Sequence, residues 1–217
     1  MGCPRSGTTL LRQLLDSHSG IAIAPESSFL FRMKKILWLY GDLNKKKNLR
    51  ALLEDIFRIR RVRDWASSNL SVDDILGGLL DREQIDFSDV ISCVYLNYSR
   101  SRNKMRWGDK TPKNLFSFSD IKELFPSAKF IVIVRDGRDV SLSLGKADFG
   151  GINTVSAAYE WKSYIKKMHE VSNNKDILKV YYEELLAGPE KVLREIFSFL
   201  DEDYEPEIID KYLGHED

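Results

Sequence analysis

The stretch from Gly2 to Thr9 constrains this chain more than any other. It reads Gly-Cys-Pro-Arg-Ser-Gly-Thr-Thr and runs straight into the apolar positions Leu10, Leu11, Leu14 and Leu15. A glycine-bearing turn that opens an amphipathic helix is the arrangement in which successive backbone N–H groups converge on an anion. The frame is that of a Walker A phosphate loop, Gly-x-x-x-x-Gly, with Thr8 where that motif carries its lysine. The nearest cation is Arg5, inside the loop. Such a loop suits a phosphate-like group, and the missing lysine argues against ATP or GTP hydrolysis. A phosphate loop normally hangs off a buried strand, yet only Met1-Gly2-Cys3 precede Pro4. The first strand is therefore expected to be very short, or the natural chain to begin earlier.

The rest of the chain supplies the alternation that such a loop requires. Ile21–Ala24 is a short apolar run ended by Pro25, and so a buried strand. Residues 28–105 read as a helical insertion, with Leu52, Leu53, Ile56 and Phe57 at helical spacing. Breaks are expected at Ser67-Ser68-Asn69 and at Gly77-Gly78. A helix closes over Asp120–Phe125, and Lys129–Val134 is the strongest strand, apolar on both faces as in a parallel sheet. Helices follow over Asp139–Lys146 and Ser156–Val171, a strand over Ile177–Tyr182, and a final helix from Pro189 through Leu200. The fold class is α/β: a P-loop-type, doubly wound, mostly parallel sheet flanked by helices, in one domain over 1–217. In such sheets ligands collect at the C-terminal strand edges, so the loops after Cys3, Ala24, Val134 and Val180 are expected to share a crevice.

Composition removes several function classes. With 33 Lys/Arg against 33 Asp/Glu there is no global field to recruit nucleic acid. Two cysteines and three histidines, none at ligand spacing, make a disulfide framework or a structural metal an unsuitable reading. No signal-peptide anatomy and no membrane-spanning run is evident, so a cytoplasmic protein is expected. Charge is uneven, however. Residues 32–63 carry eleven Lys/Arg and three Asp/Glu, while 183–217 carry twelve acids and three bases. Solvated helix faces explain such runs; the alternative is a basic entrance for an acidic ligand or acceptor.

Four segments carry complementary chemistry. In Pro4–Thr9 the amides of Ser6, Gly7, Thr8 and Thr9 can hold a terminal anion, and Arg5 can add charge-assisted hydrogen bonds. In Val134–Ser143, Arg135 ends the strongest strand and Ser143 lies eight residues on, a pair suited to a second phosphate. The alternative there is a turn whose arginines pair with Asp136 and Asp139. Glu26 follows a buried strand directly, where a carboxylate can serve as a general base, or simply favour a helix N-terminus. Lys110, among the turn residues of Trp107–Asn114, can present a compact charge or lie on a surface turn.

Together these segments resemble the sulfotransferases that use 3′-phosphoadenosine 5′-phosphosulfate (PAPS), over roughly residues 2–200. Pro4–Thr9 is similar to their 5′-phosphosulfate loop, Arg135 and Ser143 to their 3′-phosphate site, and Tyr182-Glu183-Glu184 to an element near the adenosine. The likeness is greatest to the tyrosylprotein sulfotransferase-like and bacterial branch. There Glu26 falls at the position of the general base and Lys110 at that of the catalytic lysine, with Arg5 completing the catalytic set. The resemblance implies PAPS as donor, PAP as product, no metal, and a hydroxyl-bearing acceptor: carbohydrate, lipid, peptide or small alcohol. Residues 28–105 would shape the acceptor pocket, with a homodimer left open. Two features depart from the family. The first strand is truncated or absent, and the chain ends at Leu213-Gly214-His215-Glu216-Asp217 without the usual glycine- and lysine-containing lid. A P-loop kinase or nucleotidase, and a non-catalytic nucleotide-binding remnant of the fold, are the rival readings.

Overall fold

A computed structural model describes residues 1–66, 70–146 and 153–213, with the side chains of 65, 66 and 211–213 excepted. The breaks expected at Ser67-Ser68-Asn69 and the terminal residues Gly214-His215-Glu216-Asp217 lie outside the described residues. In chain order the elements are α1 (Thr8–Asp16), β1 (Ile21–Ala24), α2 (Phe29–Ile36), α3 (Lys46–Arg58), α4 (Arg60–Ala66), α5 (Val72–Leu80) and α6 (Phe87–Ser101). They continue with β2 (Arg106–Asp109), α7 (Phe118–Leu124), β3 (Phe130–Val134), α8 (Gly137–Gly145) and α9 (Thr154–Val171). Last come β4 (Ile177–Tyr181), α10 (Tyr182–Ala187), α11 (Pro189–Leu200) and α12 (Glu207–Leu213). The chain divides into two compact units, one of Met1–Leu14 with Pro112–Asp217 and one of Leu15–Thr111.

The loop-bearing unit is organised by β3, which pairs in parallel with β4 from Phe130↔Ile177 to Val134↔Tyr181. Its other edge is taken by the first residue. The amino group of Met1 donates to the Ile131 carbonyl at 2.6 Å, and the Ile133 N–H donates to the Met1 carbonyl at 2.9 Å. That pattern is one parallel bridge around Val132, so Met1 and Gly2 run beside the strongest strand and deliver the loop to its C-terminal end. Gly2 has φ +148°, and a Cβ there would stand 2.3 Å from the Ile133 carbonyl oxygen; only glycine lets the two backbones approach this closely. Helix α9 packs against α8, and α11 turns a stripe of Val192, Leu193, Ile196, Phe197 and Leu200 inward. Each such buried side chain contributes about 1.5–3 kcal/mol relative to exposure. Pro189 opens α11 at its first turn, as its fixed φ and missing N–H favour.

The second unit is the helical insertion plus a two-stranded parallel ribbon, β1 on β2, in register from Ile21↔Arg106 to Ala24↔Asp109. Helix α6 packs across both strands with Phe87, Val90, Ile91, Val94, Tyr95 and Tyr98 buried. A capping box between Asp86 and Asp89 satisfies its first N–H groups. Asp16 braces the ribbon, accepting from the Ile23 N–H at 2.9 Å and from Arg102 Nη2 at 3.3 Å.

Several expectations need correction. Gly77 and Gly78 do not break the chain; they sit inside α5, where nothing lies within 4 Å of their missing side chains. The buried face of Ile75, Leu76 and Leu79 and the Ser71 cap hold the helix despite its two glycines. Strand β2 replaces the expected turn at its start, since Arg-Trp-Gly-Asp has no alternating apolar pattern to announce it. Tyr182 opens α10 rather than ending the preceding strand. Nor is the helix from Pro189 the last, because α12 follows it.

Candidate functional site

The loop takes its shape from three backbone positions. Ser6 N–H donates to the Cys3 carbonyl at 3.2 Å, Arg5 adopts φ +68°, and Gly7 adopts φ +87°. A side chain at Gly7 would collide with the Tyr182 ring at 2.3 Å, so the glycine is required by conformation and by space. Leu11 N–H reaching back to the Gly7 carbonyl at 3.0 Å closes the first turn of α1. Thr8 and Ser6 are buried, while Arg5 and Thr9 face solvent. Burial, with the nearby charge of Glu160 second, pushes the Cys3 thiol up to about 12, so it remains a packed neutral group beneath the loop.

Around this loop the structure gathers the expected donor-binding residues. Arg5 Nε donates to Ser143 Oγ at 2.9 Å, and Arg135 Nη1 donates to the Arg5 carbonyl at 3.2 Å. The Arg135 guanidinium stacks 4.4 Å above the Tyr182 ring, and its own carbonyl accepts from Trp161 Nε1 at 3.0 Å. Arg5, Gly7, Arg135, Ser143 and Tyr182 thus form one clasp, with Ser143 brought in by one turn more of α8. Glu183 fixes the turn after β3 by accepting from the Asp136 N–H at 3.0 Å. Arg138 instead follows the plainer alternative: it pairs with Asp136 at 2.6 Å in the open, and its hydrogen bonds hold the Asp136 carboxyl down at about 2. Arg135 stands 3.9 Å from Asp139. Ser6 Oγ and Arg135 Nε are buried without a hydrogen-bond partner among the described residues. They line a small cavity with Gly2, Cys3 and Trp161.

In the second unit the in-register end of the ribbon, Ala24 opposite Asp109, puts the residues that follow at one edge. Glu26 and Lys110 meet there, Oε2 to Nζ at 3.6 Å, with Lys110 15% exposed and Glu26 32%. The other carboxylate oxygen receives Arg61 Nη1 at 2.6 Å. Arg61 was signalled only by the basic run of residues 32–63; the rise and twist of α4, not spacing along the chain, choose it from that run. Thr111 Oγ1 donates to Asp109 at 3.2 Å just behind Lys110.

A model of the sulfotransferase family matches residues 1–206 of the chain. The chain belongs to the sulfotransferase family. Among the chain's relatives is the protein-tyrosine sulfotransferase of Drosophila melanogaster, 30% identical over 92% of this chain and 37% of the fly protein. A putative protein-tyrosine sulfotransferase of Caenorhabditis briggsae is 28% identical over 96% of this chain and 66% of its own length. The chain thus spans about a third to two thirds of these curated relatives. The sulfotransferase domain of the Synechococcus PCC 7002 olefin synthase superposes with a TM-score of 0.66 at 22% identity, covering 97% of this chain and 74% of that domain. That likeness shows the P-loop-type α/β fold. Among the described residues, no helix is long and apolar enough to cross a membrane.

Proposed function

We propose that this chain moves a sulfuryl group from PAPS to a hydroxyl acceptor. The observation that carries the reading is the clasp of Arg5, Arg135 and Ser143 around a Gly7 loop that has no Walker lysine. In this reading PAPS is a substrate whose 5′-phosphosulfate is held by the amides of Ser6–Thr9 and by Arg5. Arg5 spends only Nε on Ser143, leaving its other N–H donors for the anion. Arg135 and Ser143 take the 3′-phosphate, with Tyr182 beside the adenosine. Two arginines and a ring of amides match two separate phosphate groups better than the contiguous chain of a triphosphate.

The acceptor oxygen attacks sulfur in line, the bond from sulfur to the 5′-phosphate oxygen breaks, and PAP leaves with that electron pair. The acceptor's proton passes to Glu26, a role supported by the carboxylate's place at the ribbon edge beside Lys110. Lys110 and Arg5 offset charge on the sulfuryl oxygens and the leaving phosphate, the electrostatic contribution that usually dominates. A sulfuryl group carries less charge than a phosphoryl group, so these cations suffice in this scheme without a metal. The acceptor class is a hydroxyl compound able to reach Glu26 past Arg61. Incubation with sulfur-35-labelled PAPS and a panel of alcohols, sugars and tyrosine peptides tests the reading: label should transfer to at least one hydroxyl class. Binding of PAP with no transfer to any of them would instead favour a non-catalytic remnant.

A further inference from the structure

Glu26 and Lys110 each have a polar neighbour in sequence. Ser27 follows Glu26 and is 4% exposed, and Asp109 precedes Lys110 at the end of β2. One phenol joins the two. Tyr95, on α6 and 1% exposed, has its hydroxyl 3.3 Å from Ser27 Oγ and hydrogen-bonds the Asp109 carboxylate. Proton counting fixes the direction of the chain. The carboxylate only accepts, so Tyr95 gives it its single proton, and Ser27 must be the donor to Tyr95. Thr111 donates to the same carboxylate at 3.2 Å, which completes a run Ser27→Tyr95→Asp109←Thr111. The ring itself is immobilised, stacked on Trp107 at 4.8 Å and 8° and tilted against Phe29 at 5.2 Å. Burial first, then the Asp109 charge, raises the phenol well above its ordinary value, so it stays a neutral donor throughout the working range.

We propose that Tyr95 is a positioning residue: its hydroxyl tethers the segment after β1 to the end of β2 and so sets the spacing of Glu26 and Lys110. The inference rests on the reading of Glu26 and Lys110 as base and counter-cation. The β1–β2 register ends at Ala24 and Asp109, two residues before Glu26 and one before Lys110. A tether from a third element is what keeps two such ends from drifting. Misplacement of reacting groups by an ångström is costly in rate.

The test is Tyr95→Phe, which keeps the ring stack and removes only the hydroxyl. With PAPS and a competent acceptor, kcat should fall about tenfold or more while the KM for PAPS stays within about twofold, because the donor clasp is untouched. Amide hydrogen exchange should quicken about tenfold or more at residues 26–28 and 109–111 and stay unchanged in α3. Wild-type kcat in the variant would overturn the proposal. So would a loss of exchange protection across the whole of α6, which would mark Tyr95 as a packing residue. Should the wild-type protein transfer no sulfuryl group, the functional reading fails, and unchanged exchange at 26–28 and 109–111 would still overturn the tether by itself.

Discussion

The loop at Pro4–Thr9 and the edge at Glu26–Lys110 hold their charged groups in opposite ways. The loop is set by backbone: two positive-φ residues, a glycine pressed against the Tyr182 ring, and a strand that pairs with Met1. The ribbon edge is set by side chains, a carboxylate between a half-exposed arginine and a more sheltered lysine, over a buried hydrogen-bonded floor. The difference teaches where each is vulnerable. A backbone-built cradle is damaged by adding a methyl group, whereas a side-chain-built pair loses its chemistry by isosteric replacement and leaves the fold intact.

Glu26→Gln is the sharpest probe of that contrast. It keeps shape and burial but removes the proton acceptor, so transfer should fall by about 10²–10⁴-fold, the usual range for general-base catalysis. PAP affinity and melting temperature should stay near wild type, and a variant that turns over normally would remove Glu26 from the scheme. Gly7→Ala should act on the other side. Left-handed strain of about 1–3 kcal/mol adds to the clash with Tyr182. Calorimetric affinity for PAP should therefore drop about tenfold or more; wild-type affinity would mean that the loop is not the donor site. Arg61→Ala should do least. The Arg61 side chain is 58% exposed, and exposed pairs are worth about 0–1 kcal/mol, so stability measured by urea denaturation should move by less than that. A loss of several kcal/mol would show that the edge is held as rigidly as the loop.

The same contrast explains what the sequence disclosed. The loop is contiguous, so Arg5, Gly7 and the helix behind them stand together in the chain, and Arg135 to Ser143 is a single turn and helix start. Strands of continuous apolar residues such as Phe130–Val134 announce themselves by hydrophobicity. Arg61 and Tyr95 do not, because Glu26 and Ser27, which they meet, are 35 and 68 residues away and are reached only when α4 and α6 pack. Strand β2 was hidden for a related reason. Its pairing with β1, not its composition, makes Arg-Trp-Gly-Asp extended. Gly77-Gly78 misled in the other direction, since local propensity pointed to a turn while burial of Ile75, Leu76 and Leu79 kept the helix.

The central claim is that the loop cradles a 3′-phosphoadenosine donor, not a nucleoside triphosphate. Isothermal titration of the protein with adenosine 3′,5′-bisphosphate and with ATP, each with and without Mg²⁺, tests it directly. The bisphosphate should bind more tightly, independently of Mg²⁺, and Arg135→Ala should weaken that binding. Tighter, Mg²⁺-dependent binding of ATP would contradict the claim.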